Sequence, residues 1–180
     1  MMQKIGRLLS RITDLATVIG ALGIALMMIH ITLDVVLRYL FDLPLPGTIA
    51  IVSYYYMVIA AFVPLAFAEQ KGAHISVEVV TERMPAWIQN HLTGWSYLLS
   101  AVIFGMLTVR TWGEAMSKKQ IGASIVQGEA SIVLWPTYFI LPIGFGLIFL
   151  ILAHKFFAYL FAHESGLDTQ RATPAEVAAD

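Results

Sequence analysis

Four long stretches without a formal charge dominate this 180-residue chain: Leu15 to Leu33, Thr48 to Ala68, Ala86 to Val109 and Ala130 to Ala153, of 19, 21, 24 and 24 residues. A helix needs about 20 apolar residues to cross the hydrocarbon core of a bilayer, so each stretch can span it once. Membrane β-strands would be about half as long and would alternate apolar with polar residues, which these runs do not. Charged residues make up only 13% of the chain and hydrophobic ones 58%, against about a quarter charged in a soluble domain. The expected fold class is therefore all-α, an integral membrane protein with four transmembrane helices spanning about 13–38, 48–68, 86–110 and 130–156. These form one domain over 1–163, and the polar residues 164–180 read as a disordered tail.

Lys4, Arg7 and Arg11 precede the first run. That run is too long for a signal-peptide core and has no small-x-small cleavage site after it, so it reads as an uncleaved first helix. With the N-terminus inside, seven Lys or Arg residues fall on the cytoplasmic side and four on the other. This bias favours both termini in the cytoplasm. The first connection, Tyr39 to Gly47, holds Pro44, Pro46 and Gly47 and reads as a tight turn. In the second, Glu69 to Pro85, Val77, Val80 and Met84 share one helical face and Glu78 and Glu82 another. That pattern predicts a short amphipathic helix on the cytoplasmic surface. The third connection, Trp112 to Glu129, follows Arg110, and Arg110, Glu114 and Lys118 sit at helical spacing. The third helix is thus expected to run on past the membrane with an ion-paired face.

Net charge of -1 leaves no basic footprint for nucleic acid, and the absence of cysteine removes disulfides, thiolate metal sites and thiol nucleophiles. No nucleophile–base pair, phosphate loop or metal-spaced cluster appears, so no enzyme and no cofactor are expected. His30, Asp34 and Arg38 lie one turn apart on the first helix. They read either as a stripe docking a partner subunit, as a simple interfacial pair of Asp34 with Arg38, or as part of an ion path. Ala16, Gly20 and Gly23 put small residues near one face of the same helix and suit close packing against a partner. Trp87, Trp95, Trp112 and Trp135 fall toward the two interfaces as candidate lipid anchors. Pro64 and Pro142 are candidate helix kinks. His91 and His154 both lie toward the cytoplasmic ends of their helices and leave open a haem-binding anchor of an oxidoreductase; a stand-alone small carrier is the other alternative.

One set of motifs goes further. Arg38-Tyr39-Leu40-Phe41 closes the first span, Leu45-Pro46-Gly47 follows, and the second span is rich in tyrosine. Then come His74-Ile75-Ser76-Val77, Met84-Pro85, Trp135-Pro136-Thr137-Tyr138 and Leu141-Pro142-Ile143-Gly144. In this order the chain, from about Ile12 to Lys155, resembles the small DctQ-like membrane subunit of tripartite ATP-independent periplasmic (TRAP) transporters. The resemblance implies a bacterial or archaeal inner-membrane protein that scaffolds a large polytopic transport subunit among membrane lipids. It also implies a transient partner, a periplasmic substrate-binding protein, and sodium-driven uptake of an organic acid.

Overall fold

The computed structural model describes residues 2–71, 85–128 and 130–161. The expected amphipathic helix (Val77, Glu78, Val80, Glu82, Met84) and the tail 164–180 lie outside them. Among the described residues four helical stretches are long and apolar enough to cross a membrane: Ile5–Phe41, Thr48–Gln70, Trp87–Gln120 and Trp135–Leu160.

The first is one unbroken helix, α1 (Met2–Phe41). The second is built in pieces: α2 (Thr48–Ile51), a π-helical turn (Val52–Tyr56), α3 (Met57–Phe62) and α4 (Leu65–Gln70). Pro64 separates α3 from α4, since it has no N–H for the carbonyl four residues back. In the π turn the Met57 N–H donates to Val52 O, one residue further than in an α-helix. The third span is α5 (Ala86–Gln120), and the fourth is a 3-10 turn (Trp135–Phe139) leading into α6 (Ile140–Leu160).

Two features around the fourth span differ from the sequence expectation. Ala130–Val133 is not the start of the fourth helix but β2, paired antiparallel with β1 (Ser124–Gln127) in a small hairpin. The β-branched residues Ile125, Val126, Ile132 and Val133 favour extended backbone, and Gly128 supplies φ +61° at the tip. Pro142 does not kink a helix interior: it lies in the first turn of α6, where a missing N–H costs little. The departure from α geometry lies just ahead of it, in the 3-10 turn.

Lipid is as apolar as leucine, so close van der Waals fit, not expulsion from water, holds such helices together. α5 packs along α6, α1 lies against the second span, and α6 joins the two pairs through α3 and α4. Leu9, Ala66, Ala101, Ile148, Ile151 and Leu152 form the buried centre, with Tyr97, Phe104 and Phe145 packed on it. At Gly144 the approach is to another helix's backbone: an added Cβ would stand 2.6 Å from the backbone oxygen of Phe62. The opposite surfaces of α1 and α5 are covered with exposed Leu, Ile, Val and Trp side chains, as a lipid-facing protein requires.

Candidate functional site

Each end of the bundle carries its own set of polar locks. At one end, α4 is tied to α6 by Glu69 and Lys155. The Lys155 Nζ lies 2.9 Å from Glu69 Oε1, also donates to the Glu69 backbone oxygen, and sits 5.5 Å from the centre of the Tyr97 ring on α5. Both side chains are nearly buried, 14% and 10% exposed. Beside them the fully buried Gln70 donates from Nε2 to Ser10 Oγ on α1 at 2.9 Å. The four spans therefore meet here through charged and amide groups. Sequence reasoning missed this latch, although Glu69 directly follows the second uncharged run and Lys155 closely follows the fourth.

The other end is built around Asp34. Its Oδ1 accepts the Leu45 N–H at 2.8 Å and its Oδ2 accepts from Arg38 Nη2 at 3.0 Å. One carboxylate thus clamps the turn between α1 and α2. The turn itself uses Asp42 at φ +54° and Gly47 at φ +81°, and Gly47 has Ile132 of β2 against it where a Cβ would stand. The hairpin closes over the start of the second span. Gln127 Oε1 accepts the Ala50 N–H at 2.8 Å, capping one of the donors a helix start leaves unpaired, and Tyr55 Oη donates to Val133 O. Below it, Trp112 and Trp135 both meet the Phe139 ring edge-on, while Lys118 and Lys119 lie over Tyr138 and Trp135. The Lys118 ammonium also pairs with Glu114 at 3.3 Å, which realises the ion-paired extension of α5.

These contacts redistribute the expected site residues. His30, Asp34 and Arg38 do not form one free stripe for a partner. Asp34 is 6% exposed and consumed by the turn, His30 Nδ1 faces Tyr56 Oη at 3.5 Å, and only Arg38 reaches outward. The small-residue face is likewise spent inside the chain. Ala16 is buried, an added Cβ at Gly20 would stand 2.5 Å from Pro64 Cγ, and one at Gly23 3.2 Å from Ile59 Cγ2. Small residues let two backbones approach, and the backbone they admit is the chain's own second span. Trp87 and Trp95 are two-thirds exposed and open outward, whereas Trp112 and Trp135 belong to the aromatic cluster. His91 hydrogen-bonds Tyr159 through Nδ1, and His154 is buried within α6.

Asp34 and Arg38 should respond unequally to truncation. Asp34→Ala strands the Leu45 N–H and is expected to cost about 2 kcal/mol. Arg38→Ala removes one exposed partner and should cost less than about 1 kcal/mol. Thermal unfolding of the two purified variants in one detergent checks the order; equal losses would show that the clamp on Leu45 carries no weight.

The hairpin, the Asp34 turn and the aromatic cluster make a stitched platform at one end. The Glu69–Lys155 latch closes the other, and apolar surface lies between. Residues 27–161, about three quarters of the chain, match the family model described as tripartite ATP-independent periplasmic transporters, DctQ component. No curated protein matches the chain significantly.

Proposed function

Since the chain belongs to the DctQ-component family of tripartite ATP-independent periplasmic transporters, we propose that it is the fixed membrane scaffold of such a transporter, packed beside a large polytopic transport subunit. It carries out no chemistry itself. Uptake of an organic acid, delivered by a periplasmic binding protein and driven by a sodium gradient, takes place in its partners. Both termini lie in the cytoplasm of a bacterial or archaeal cell, and the platform of hairpin and turn faces the periplasm, where it helps to seat the binding protein.

The observation that carries this reading is the set of polar locks at both ends of the bundle: Glu69 with Lys155 and Gln70 with Ser10 at one end, Asp34 with Leu45 and Gln127 with Ala50 at the other. A carrier that moves substrate must pass between two arrangements, and polar locks at both ends oppose that. A part that must stay still while another moves benefits from them. Reconstitution into liposomes tests the proposal. Sodium-driven uptake is expected when this chain, the large subunit and the binding protein are all present, and no uptake from this chain alone. Solute movement by the chain alone would establish a carrier instead, and a Soret band in the purified protein would establish the haem-anchor reading.

A further inference from the structure

At the hairpin end of the bundle one cation stands apart. Arg38 is paired with Asp34, Lys118 with Glu114, and Lys119 lies over the Trp135 ring. Arg110 on α5 is exposed and has no hydrogen bond, ion pair or aromatic ring among the described residues. Glu114, four residues on, is the carboxylate its spacing offers, but that group is 3.3 Å from Lys118 instead. The depth of Arg110 follows from the sequence, since it is the first charge after the 24 uncharged residues Ala86 to Val109. A run of this length fills the hydrocarbon, so the guanidinium emerges where lipid phosphates lie. A cation at that edge with no partner in its own chain draws one from its surroundings.

Arg110 also lines a groove. The groove has a volume of about 410 Å³ and is bounded by Gly105, Met106, Val109 and Arg110, less than two turns of one helix. That volume falls within the range of small-molecule sites, about 300–1,000 Å³. Gly105 gives the low point, because it carries no side chain, and Met106 and Val109 stand beside it, 62% and 75% exposed. Apart from Arg110 the lining residues are apolar. Arg110 lies about 7.5 Å nearer the headgroups than Gly105 along the helix axis. An occupant must therefore be apolar at one end and anionic at the other, on a single strip of helix.

A partner helix fits this poorly. All four lining residues come from α5, a seat the width of a hydrocarbon chain, and a helix would also have to carry a carboxylate to the hydrocarbon edge, which is costly. A phospholipid already holds its phosphate at that level, and a guanidinium meets phosphate through two parallel N–H bonds. The charge nearby favours a headgroup with net negative charge. Three cations against one carboxylate between residues 110 and 120 leave an excess of two positive charges, and the ammonium of a zwitterionic headgroup would find Glu114 already held by Lys118.

We propose that Gly105, Met106, Val109 and Arg110 form a binding site for one anionic phospholipid, with the phosphate on the Arg110 guanidinium and the upper part of an acyl chain along Gly105 and Met106. The site requires only that the chain span a bilayer and is independent of the transport role proposed above.

Native mass spectrometry of the full chain in mild detergent tests the site, with phosphatidylglycerol and phosphatidylethanolamine of identical acyl chains as probes. Phosphatidylglycerol is expected to be retained severalfold more than phosphatidylethanolamine. Arg110→Ala should lower phosphatidylglycerol retention about tenfold, the loss of a hydrogen bond to a charged group. Arg110→Lys keeps the charge but not the planar fork and should fall between the two. Val109→Trp fills the groove from an exposed position and should lower retention of both lipids. Lys119→Ala removes a cation from the same helix and should leave the lipid preference in place. A phosphatidylglycerol carrying a diazirine near the start of its acyl chain is expected to label residues 105–109. Equal retention of the two lipids with no effect of Arg110→Ala would leave only bulk lipid and overturn the site. Equal losses in Arg110→Ala and Lys119→Ala would leave only diffuse attraction and overturn it as well, as would labelling confined to other segments. The chain contains no cysteine, so a benzophenone on Met106→Cys can report from the chain assembled with its partners: adducts with lipid support the site, and adducts with a protein in place of lipid give the groove to a helix and overturn it.

Discussion

Replacing Lys155 with methionine is expected to lower the stability of the bundle by about 3 kcal/mol, the cost of leaving one member of a nearly buried ion pair uncompensated. The substitution removes three things at once: the partner of the Glu69 carboxylate, the donor to a backbone carbonyl in the last turn of α4, and the cation over the Tyr97 ring. Low polarity around the pair makes the loss larger than it would be for a surface bridge. Adding Glu69→Gln to Lys155→Met should restore part of the stability, because no charge is then left behind. Thermal unfolding of the four proteins in detergent, followed by tryptophan fluorescence, gives the coupling directly. Additive losses would mean that the two side chains do not interact.

The second large effect is steric. Gly144→Ala puts a methyl group 2.6 Å from the Phe62 carbonyl, and a backbone oxygen cannot swing aside as a side chain can. The helices must separate, which is expected to cost about 2 kcal/mol or more and to open the edge-on contact of Phe62 with Phe145. Gly146→Ala is the matched control. Its added Cβ would find its nearest neighbour, Thr108 Cγ2, at an ordinary 3.6 Å, so the gain in helix propensity, about 1 kcal/mol, is not opposed. Opposite signs for two glycines two residues apart in α6 would verify the close approach; equal effects would contradict it.

The four spans were legible because charge is so costly in lipid that its absence over some 20 residues leaves few alternatives. Pro64 was legible as a break for a similarly local reason. The hairpin was not, because Ala130–Val133 adds to the length of an uncharged run whether it is helix or strand. Its β-branched pairs and Gly128 were the available signal, and the run outweighed them. Nor could spacing reveal which neighbour a face meets. Gly20 and Gly23 read as a face for close packing against a partner, and only the fold shows that Pro64 and Ile59 of the same chain stand against it. Asp34 looked like one member of a stripe because its main partner, the Leu45 N–H, is a backbone group that carries no sequence signature. Glu69 and Lys155 are 86 residues apart, and only the antiparallel return of the helices brings them together.

The extension of α5 sets a height. From Arg110 to Gln120 the helix runs on for about 16 Å before the hairpin begins, and Gln127 and Tyr55 then fasten that hairpin back to the second span. The hairpin is thus held at a fixed distance from the hydrocarbon by two routes of different make, one a continuous rod and the other a pair of hydrogen bonds. Adding or deleting one residue in the rod would raise or lower the hairpin by about 1.5 Å but also turn it by about 100°, tearing it from its anchors. Lengths differing by whole turns would keep the orientation, and the start of the second span would have to rise with the hairpin to keep both hydrogen bonds. In evolution this segment should therefore behave as a spacer graded in helical turns, and two chains matched to partners of different depth should differ here by three, four or seven residues rather than by one.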